Sequence, residues 1–114
     1  MFKRLFDTGK SIPSITVQEA WKRIATPKTK SMLIDVREAW EFKQGHVREA
    51  CNIPLSQLGQ RFREVPSDRD ILLICRSGHR SLQAAKFLQA RGWEQITNVS
   101  GGMVSWEMHR LPIE

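Results

Sequence analysis

Residues Ile71-Leu72-Leu73-Ile74 form an unbroken apolar run that ends in Cys75. Successive side chains of a strand point to opposite faces, so a run like this is stable only where both faces are covered. A parallel sheet with helices on each side meets that condition. The basic turn Arg76-Ser77-Gly78-His79-Arg80 follows, with one glycine. After it comes a helical pattern, Ser81-Leu82-Gln83-Ala84-Ala85-Lys86-Phe87-Leu88. The stretch reads as strand, tight loop and helix, with a thiol at the top of the strand.

The rest of the chain repeats this alternation. Ser14-Ile15 is a very short extended piece. Thr16-Val17-Gln18-Glu19 fits a capping box, with Thr16 capping and Glu19 reaching back. The helix it opens, Val17 to about Ile24, puts Val17, Ala20, Trp21 and Ile24 on one face. Met32–Val36 is a second buried strand, broken by the carboxylate Asp35. A short helical pattern over Arg37–Lys43 stops at Gln44-Gly45. Ala50–Ile53 is a strand candidate closed by Pro54, and Ser56–Phe62 a brief helix. The helix from Ser81 to Ala90 ends at Arg91-Gly92. Gln95–Val99 is the last strand, and Gly101-Gly102 precedes a final helix over Met103–His109. Strands alternating with helices predict an α/β domain of three layers, α/β/α, around a mainly parallel sheet of about five strands. Residues 1–13 read as an N-terminal arm and 14–114 as one domain, a length that buries a real core.

Composition narrows the partners. Hydrophobic residues make up 40% and charged residues 26%, as in soluble globular proteins. No stretch approaches the roughly 18 apolar residues of a membrane span. The basic opening Met1–Phe6 lacks an apolar segment behind it, so no secretory signal is expected and the location expected is cytoplasmic. The net charge of +6 draws anions, but Lys and Arg are scattered. With no contiguous basic run or aromatic-interleaved stripe, a solvated basic surface is the expectation, with neither nucleic acid nor membrane as partner. Two cysteines are too few for a disulfide framework, though spacing leaves a single bridge open. No set of residues has metal-ligand spacing, and no cofactor is expected.

Cys75 is the candidate nucleophile. The thiolate, not the thiol, reacts. A helix opening near Ser81 directs its N-terminus at the loop. Arg76 and Arg80 add charge. Gly78 lets the backbone curl and turn several N–H groups inward as an anion nest. A buried core cysteine ending a strand is the alternative. Ligands of parallel α/β sheets bind beyond the carboxyl ends of the strands, and parallel strands would bring Asp35 and Cys75 to one edge.

The residues Asp35-Val36-Arg37-Glu38, Glu41-Phe42 with Gly45-His46-Val47, Ala50-Cys51-Asn52-Ile53-Pro54-Leu55, Cys75–Ser81, and Ser100-Gly101-Gly102 with Trp106 lie in an order that resembles the rhodanese (sulfurtransferase) domain, single-domain type. The resemblance covers roughly residues 14 to 110. It implies a persulfide on Cys75 and an active-site loop from Cys75 to Arg80. Cysteine phosphatases share the cysteine, the basic loop and the terminal arginine, but with one residue more between them than the four separating Cys75 from Arg80. A shorter nest suits one extra sulfur better than a tetrahedral phosphate or arsenate. The implied reaction is sulfur transfer in two half-reactions, from a small anionic donor such as thiosulfate to cyanide or a thiol, with a thioredoxin-like or sulfur-carrier protein among the possible partners. Arg76 and Arg80, with Ser77, Gly78 and His79, would line the substrate. A persulfide carrier module relaying sulfur between proteins is the second reading. A phosphatase or arsenate reductase is the third.

Asp35 either pairs with a loop arginine and fixes the loop's shape or, as a strand-end carboxylate, caps the Arg37–Lys43 turn region; a brace for the site is expected, with Ser81 in support. Arg37 either contacts the loop or pairs on the surface. His79 either tunes substrate choice or points to solvent, and His46 is expected to be structural. Cys51, inside a strand candidate, is expected to be a buried thiol rather than a second reacting cysteine. Trp21, Trp40, Trp93 and Trp106 are expected to pack.

Overall fold

The computed structural model describes residues 11–114. The first ten positions of the expected N-terminal arm lie outside the described residues. Five strands form one sheet: β1 (Ser14–Ile15), β2 (Met32–Asp35), β3 (Cys51–Asn52), β4 (Ile71–Ile74) and β5 (Ile96–Val99). Their order is β1-β5-β4-β2-β3, and every pairing is parallel. The helices are α1 (Val17–Ala25), α2 (Ala39–Gln44), α3 (Leu55–Arg61), α4 (His79–Ala90) and α5 (Gly102–Met108). Short 3-10 turns follow α1 and α3 at Pro27–Thr29 and Phe62–Glu64. None of the helices among the described residues is long and apolar enough to cross a membrane.

β4 is the central strand, and all four of its residues are buried. Alternation along it divides the core. Ile71 and Leu73 join Ile34, Val36, Leu58, Ala84, Ala85 and Leu88 on the face covered by α3 and α4. Leu72 and Ile74 join Val17, Ala20, Leu33, Val99, Met103 and Trp106 on the face covered by α1 and α5. This is the three-layer arrangement expected from unbroken apolar runs. Cys75 continues the first of these faces just beyond the strand.

Local signals largely explain the element ends. The Thr16 hydroxyl accepts from Glu19 N–H at 3.1 Å and starts α1. The reciprocal half of that box is absent. The Glu19 carboxylate turns along the helix instead and takes Arg23 Nε at 3.2 Å. The back-bond forms at α2, where Glu41 Oε1 accepts from Glu38 N–H at 3.0 Å. α4 starts at His79 rather than Ser81, because Gly78 takes the left-handed conformation (φ 104°) at its N-cap.

Three of the four tryptophans pack as expected. Trp106 is fully buried, meets Trp21 edge-on at 6.2 Å between ring centroids, and donates from Nε1 to Pro112 O at 3.0 Å. Trp93 meets Phe62 edge-on and donates to the Val65 and Pro66 carbonyls. Trp40 departs from the expectation. It is 64% exposed, because α2 is a six-residue helix with no buried residue. Cys51 departs as well. It is exposed, lying on the two-residue edge strand β3, and both cysteines are free.

Removing a buried indole leaves a large cavity, whereas an exposed one leaves nothing to refill. Trp106→Ala should lower unfolding free energy by about 3–5 kcal/mol. Trp40→Ala should change it by less than about 0.5 kcal/mol. Urea denaturation followed by circular dichroism measures both.

Candidate active site

The loop after β4 is shaped from both ends. At its start, Met103 N–H donates to Cys75 O at 2.8 Å and Val104 N–H donates to Arg76 O at 3.0 Å. Both donors come from the first turn of α5, so the loop carbonyls face that helix. This approach needs a glycine at 102. A Cβ there would run into the Cys75 carbonyl oxygen and stand 2.6 Å from the Arg76 carbonyl carbon, and φ is +56°. At its far end, the loop passes through Gly78 into α4.

With the Arg76 carbonyl turned outward, its peptide partner Ser77 N–H turns inward, and the turn at Gly78 brings the next N–H to the sulfur. Gly78 N–H donates to Cys75 Sγ at 3.1 Å. The Ser81 hydroxyl, fully buried on the first turn of α4, lies 3.3 Å from the same sulfur. Burial alone pushes the thiol up. The Ser81 hydroxyl and the backbone N–H groups of Ser81, Gly78 and Ser77 outweigh it, and the Cys75 thiol lies below its ordinary value. Cys75 is only 1% exposed. The sulfur thus sits at the floor of a small nest, while the Arg76, Ser77 and His79 side chains are exposed around it.

The other expected residues gather at the same sheet edge, with different partners. Asp35 pairs with Ile74 in the β2–β4 register, which brings it beside the start of the loop. It does not bind a loop arginine. Its carboxylate is fully buried and takes Arg37 Nε at 3.0 and 3.1 Å and Arg37 Nη2 at 2.8 Å. Arg37 is neither a loop contact nor a surface pair. It is 7% exposed and also donates to Gly45 O at 2.8 Å, which fastens the end of α2 to the sheet. Arg80 is held by Glu41, with Nη1 on Oε1 at 2.7 Å and Nη2 on Oε2 at 3.0 Å. The hydrogen bond from Arg80 is the main reason the Glu41 carboxyl falls to about 2. His79 Nδ1 lies 3.2 Å from the Ser77 hydroxyl. His46 is structural as expected, with Nδ1 2.7 Å from Phe42 O and its ring stacked on Phe42.

Three neighbours of the loop escaped the sequence reading. Glu41 stands in the motif without an assigned partner, because Arg80 is 39 positions away. Gly102 reads as a chain break and is in fact the contact surface for the loop backbone. Asn98, buried in β5, donates from Nδ2 to Gly78 O at 3.4 Å, and its Oδ1 has no partner among the described residues. An amide inside the strand segment Gln95–Val99 is the available signal. Beside the loop, Arg37, Arg76, Met103, Val104, Glu107 and Met108 line a cleft of about 390 Å³.

Two substitutions test this geometry. Ser81→Ala removes the strongest of the groups that lower the thiol, so its titration should move to higher pH. Thiolate ultraviolet absorbance against pH, in a Cys51→Ser background, reads the shift. Gly102→Ala should cost more than about 2 kcal/mol, since the added methyl meets backbone that cannot rotate away. Urea denaturation measures it.

Comparison with known proteins agrees with this arrangement. The model of the rhodanese-like domain matches residues 16–109. A sulfurtransferase of Allochromatium vinosum is 39% identical over 82 residues, 72% of this chain and 77% of that protein. A putative sulfur carrier protein of Bacillus subtilis is 33% identical over 100 residues, and the match spans 88% of this chain but only 54% of the relative. The crystal structure of a rhodanese-related protein from Thermoplasma volcanium superposes with a TM-score of 0.81 at 31% identity, covering 90% of this chain and 97% of that one. With the family model matched over residues 16–109 and these relatives alike in sequence and fold, the chain belongs to the rhodanese-like domain family.

Proposed function

We propose that this domain is a sulfurtransferase that carries sulfur as a persulfide on Cys75. The observation that carries the reading is the nest. A thiol held below its ordinary pKa by N–H groups and one hydroxyl gives up its proton more readily than a free cysteine, as a nucleophile requires. The same donors suit the outer sulfur of a persulfide anion, which is one sulfur larger than the thiolate.

In the first half-reaction the Cys75 thiolate attacks the sulfane sulfur of a donor such as thiosulfate. An S–S bond to Cys75 forms, the donor's S–S bond breaks, and sulfite leaves with its electron pair. In the second, cyanide or a thiolate attacks the outer sulfur of the persulfide. The Cys75–S bond breaks and the thiolate returns. Charge balances in each step, and no external oxidant is required. The loop N–H groups hold the sulfur, and Arg76 at the rim meets the anionic donor. Ser81 sets the thiol, and Asp35 and Arg37 brace the edge on which it stands. Arg80 acts through its pair with Glu41 to fasten the loop to α2.

The similarity to a putative sulfur carrier favours a second reading, in which the domain relays sulfur between proteins and turns over thiosulfate poorly. Rates with thiosulfate and with a protein-bound persulfide separate the two readings.

Treatment with thiosulfate should add the mass of one sulfur atom to the intact protein, and a reducing agent should remove it. Cys75→Ala should neither gain the mass nor form thiocyanate with cyanide, whereas Cys51→Ser should do both. Thiocyanate formation at the unmodified rate by Cys75→Ala would overturn the proposal. So would Cys75-dependent hydrolysis of a chromogenic aryl phosphate without sulfur loading.

A further inference from the structure

The two arginines of the Cys75 loop are not equivalent. Arg80 presents both terminal nitrogens to both oxygens of Glu41, at 2.7 and 3.0 Å. That carboxylate is held in turn. Its side chain is 14% exposed, and Oε1 also accepts from Glu38 N–H at the start of α2. With its pKa near 2, Glu41 stays ionised at any physiological pH. Arg37 is likewise committed, to Asp35 and to Gly45 O. Arg76 has no carboxylate within ion-pair distance among the described residues. It opens onto a cleft that also holds Glu107 and the apolar side chains of Val104 and Met108, which are 42% and 76% exposed.

A doubly charged donor at the loop therefore meets Arg76, which has no ion-pair partner among the described residues but shares its cleft with the Glu107 carboxylate, two neutralised guanidinium groups, and apolar surface from Val104 and Met108 in that neighbouring cleft. Thiosulfate carries two charges on a compact, strongly hydrated ion. It gains most from paired guanidinium forks, and the clamp on Arg80 removes one of them. A singly charged sulfane-sulfur donor with an organic group needs only Arg76 and finds apolar surface beside it.

We propose that Glu41 is a specificity-determining residue that withholds Arg80 from the mouth of the loop, so that the domain selects singly charged organic sulfane-sulfur donors (persulfides or thiosulfonates) over thiosulfate. The inference rests on the Cys75 persulfide reading given above. With a thiosulfonate the chemistry stays balanced. The Cys75 thiolate bonds to the terminal sulfur, the donor's S–S bond breaks, and an organic sulfinate leaves with the electron pair. One negative charge enters and one departs.

The test compares sodium methanethiosulfonate with sodium thiosulfate as donors, with cyanide as acceptor, and reads kcat/KM for each. The unmodified domain should prefer methanethiosulfonate. In Glu41→Gln, which keeps an acceptor for Glu38 N–H but frees the charge of Arg80, the ratio of thiosulfate to methanethiosulfonate kcat/KM should rise about five- to tenfold. The double variant Glu41→Gln with Arg80→Met removes the pair without changing net charge, and its ratio should return to within about threefold of the starting value. An unchanged ratio in Glu41→Gln overturns the inference. So does a tenfold selective loss of thiosulfate activity in the double variant, since Arg80 would then be holding thiosulfate in the unmodified domain. Either result leaves sulfur transfer through Cys75 standing. Failure of the unmodified domain to take sulfur from either donor overturns that reading and the inference together.

Discussion

Met103 and Val104 hold the carbonyls of Cys75 and Arg76, and this pair of hydrogen bonds decides which way the loop faces. A peptide unit has two polar ends pointing in opposite directions. Once α5 claims the Arg76 carbonyl, the amide end of the same peptide unit, Ser77 N–H, is directed away from α5 toward the interior of the loop. The nest around the Cys75 sulfur is thus built partly from outside, by a helix that follows the loop by more than twenty residues in sequence. The close approach exists because position 102 has no side chain. The central strand places the cysteine, α4 and Ser81 close the far side, and α5 sets the polarity.

The charges at this edge do something different. Asp35 with Arg37 and Glu41 with Arg80 are two bidentate pairs close enough to feel each other. Arg37 adds to the lowering of Glu41, and Asp35 adds to the raising of Arg80. Buried pairs return much of their attraction as lost hydration, so they are poor sources of net stability. Their value is geometric. One ties the end of α2 to β2, the other ties the side of α2 to the start of α4, and the loop is left with little freedom to spread. With much of the charge cancelled within each pair, the main groups that lower the Cys75 thiol are oriented dipoles, the Ser81 hydroxyl and backbone N–H groups. Dipoles fixed by the fold need no rearrangement when a charge develops.

The readable part of this molecule was the part governed by short-range rules. Ile71–Ile74 had to lie inside a parallel sheet, and that places Cys75 at its carboxyl edge with no further information. The start of α1 at Thr16 follows from one hydroxyl. What could not be read was governed by pairing across the fold. Asp35 had two loop arginines and Arg37 to choose from, and only the β2–β4 register with the turn after β2 selects Arg37. The character of their segments points Cys51 and Trp40 to the interior. A two-residue edge strand and a six-residue helix are too short for a period to say which side is covered. Gly102 reads as half of the glycine pair before the last helix, but its role as a contact surface appears only when α5 is laid against the loop.

The sulfur's hydrogen-bond partners are the Gly78 backbone amide and the Ser81 hydroxyl, and the backbone amides of Ser81 and Ser77 add to the lowering of its pKa. A main-chain N–H is present whatever side chain its residue carries. The side chains of Arg76, Ser77 and His79 point outward and take no part in holding the sulfur. Recognition and reactivity are therefore written in separate chemical alphabets at the same few positions. Exchange of the exposed side chains can retune which molecules approach while the Cys75 thiol, the proposed nucleophile, keeps its environment. A loop built this way can diversify its clientele one residue at a time without passing through an inert intermediate.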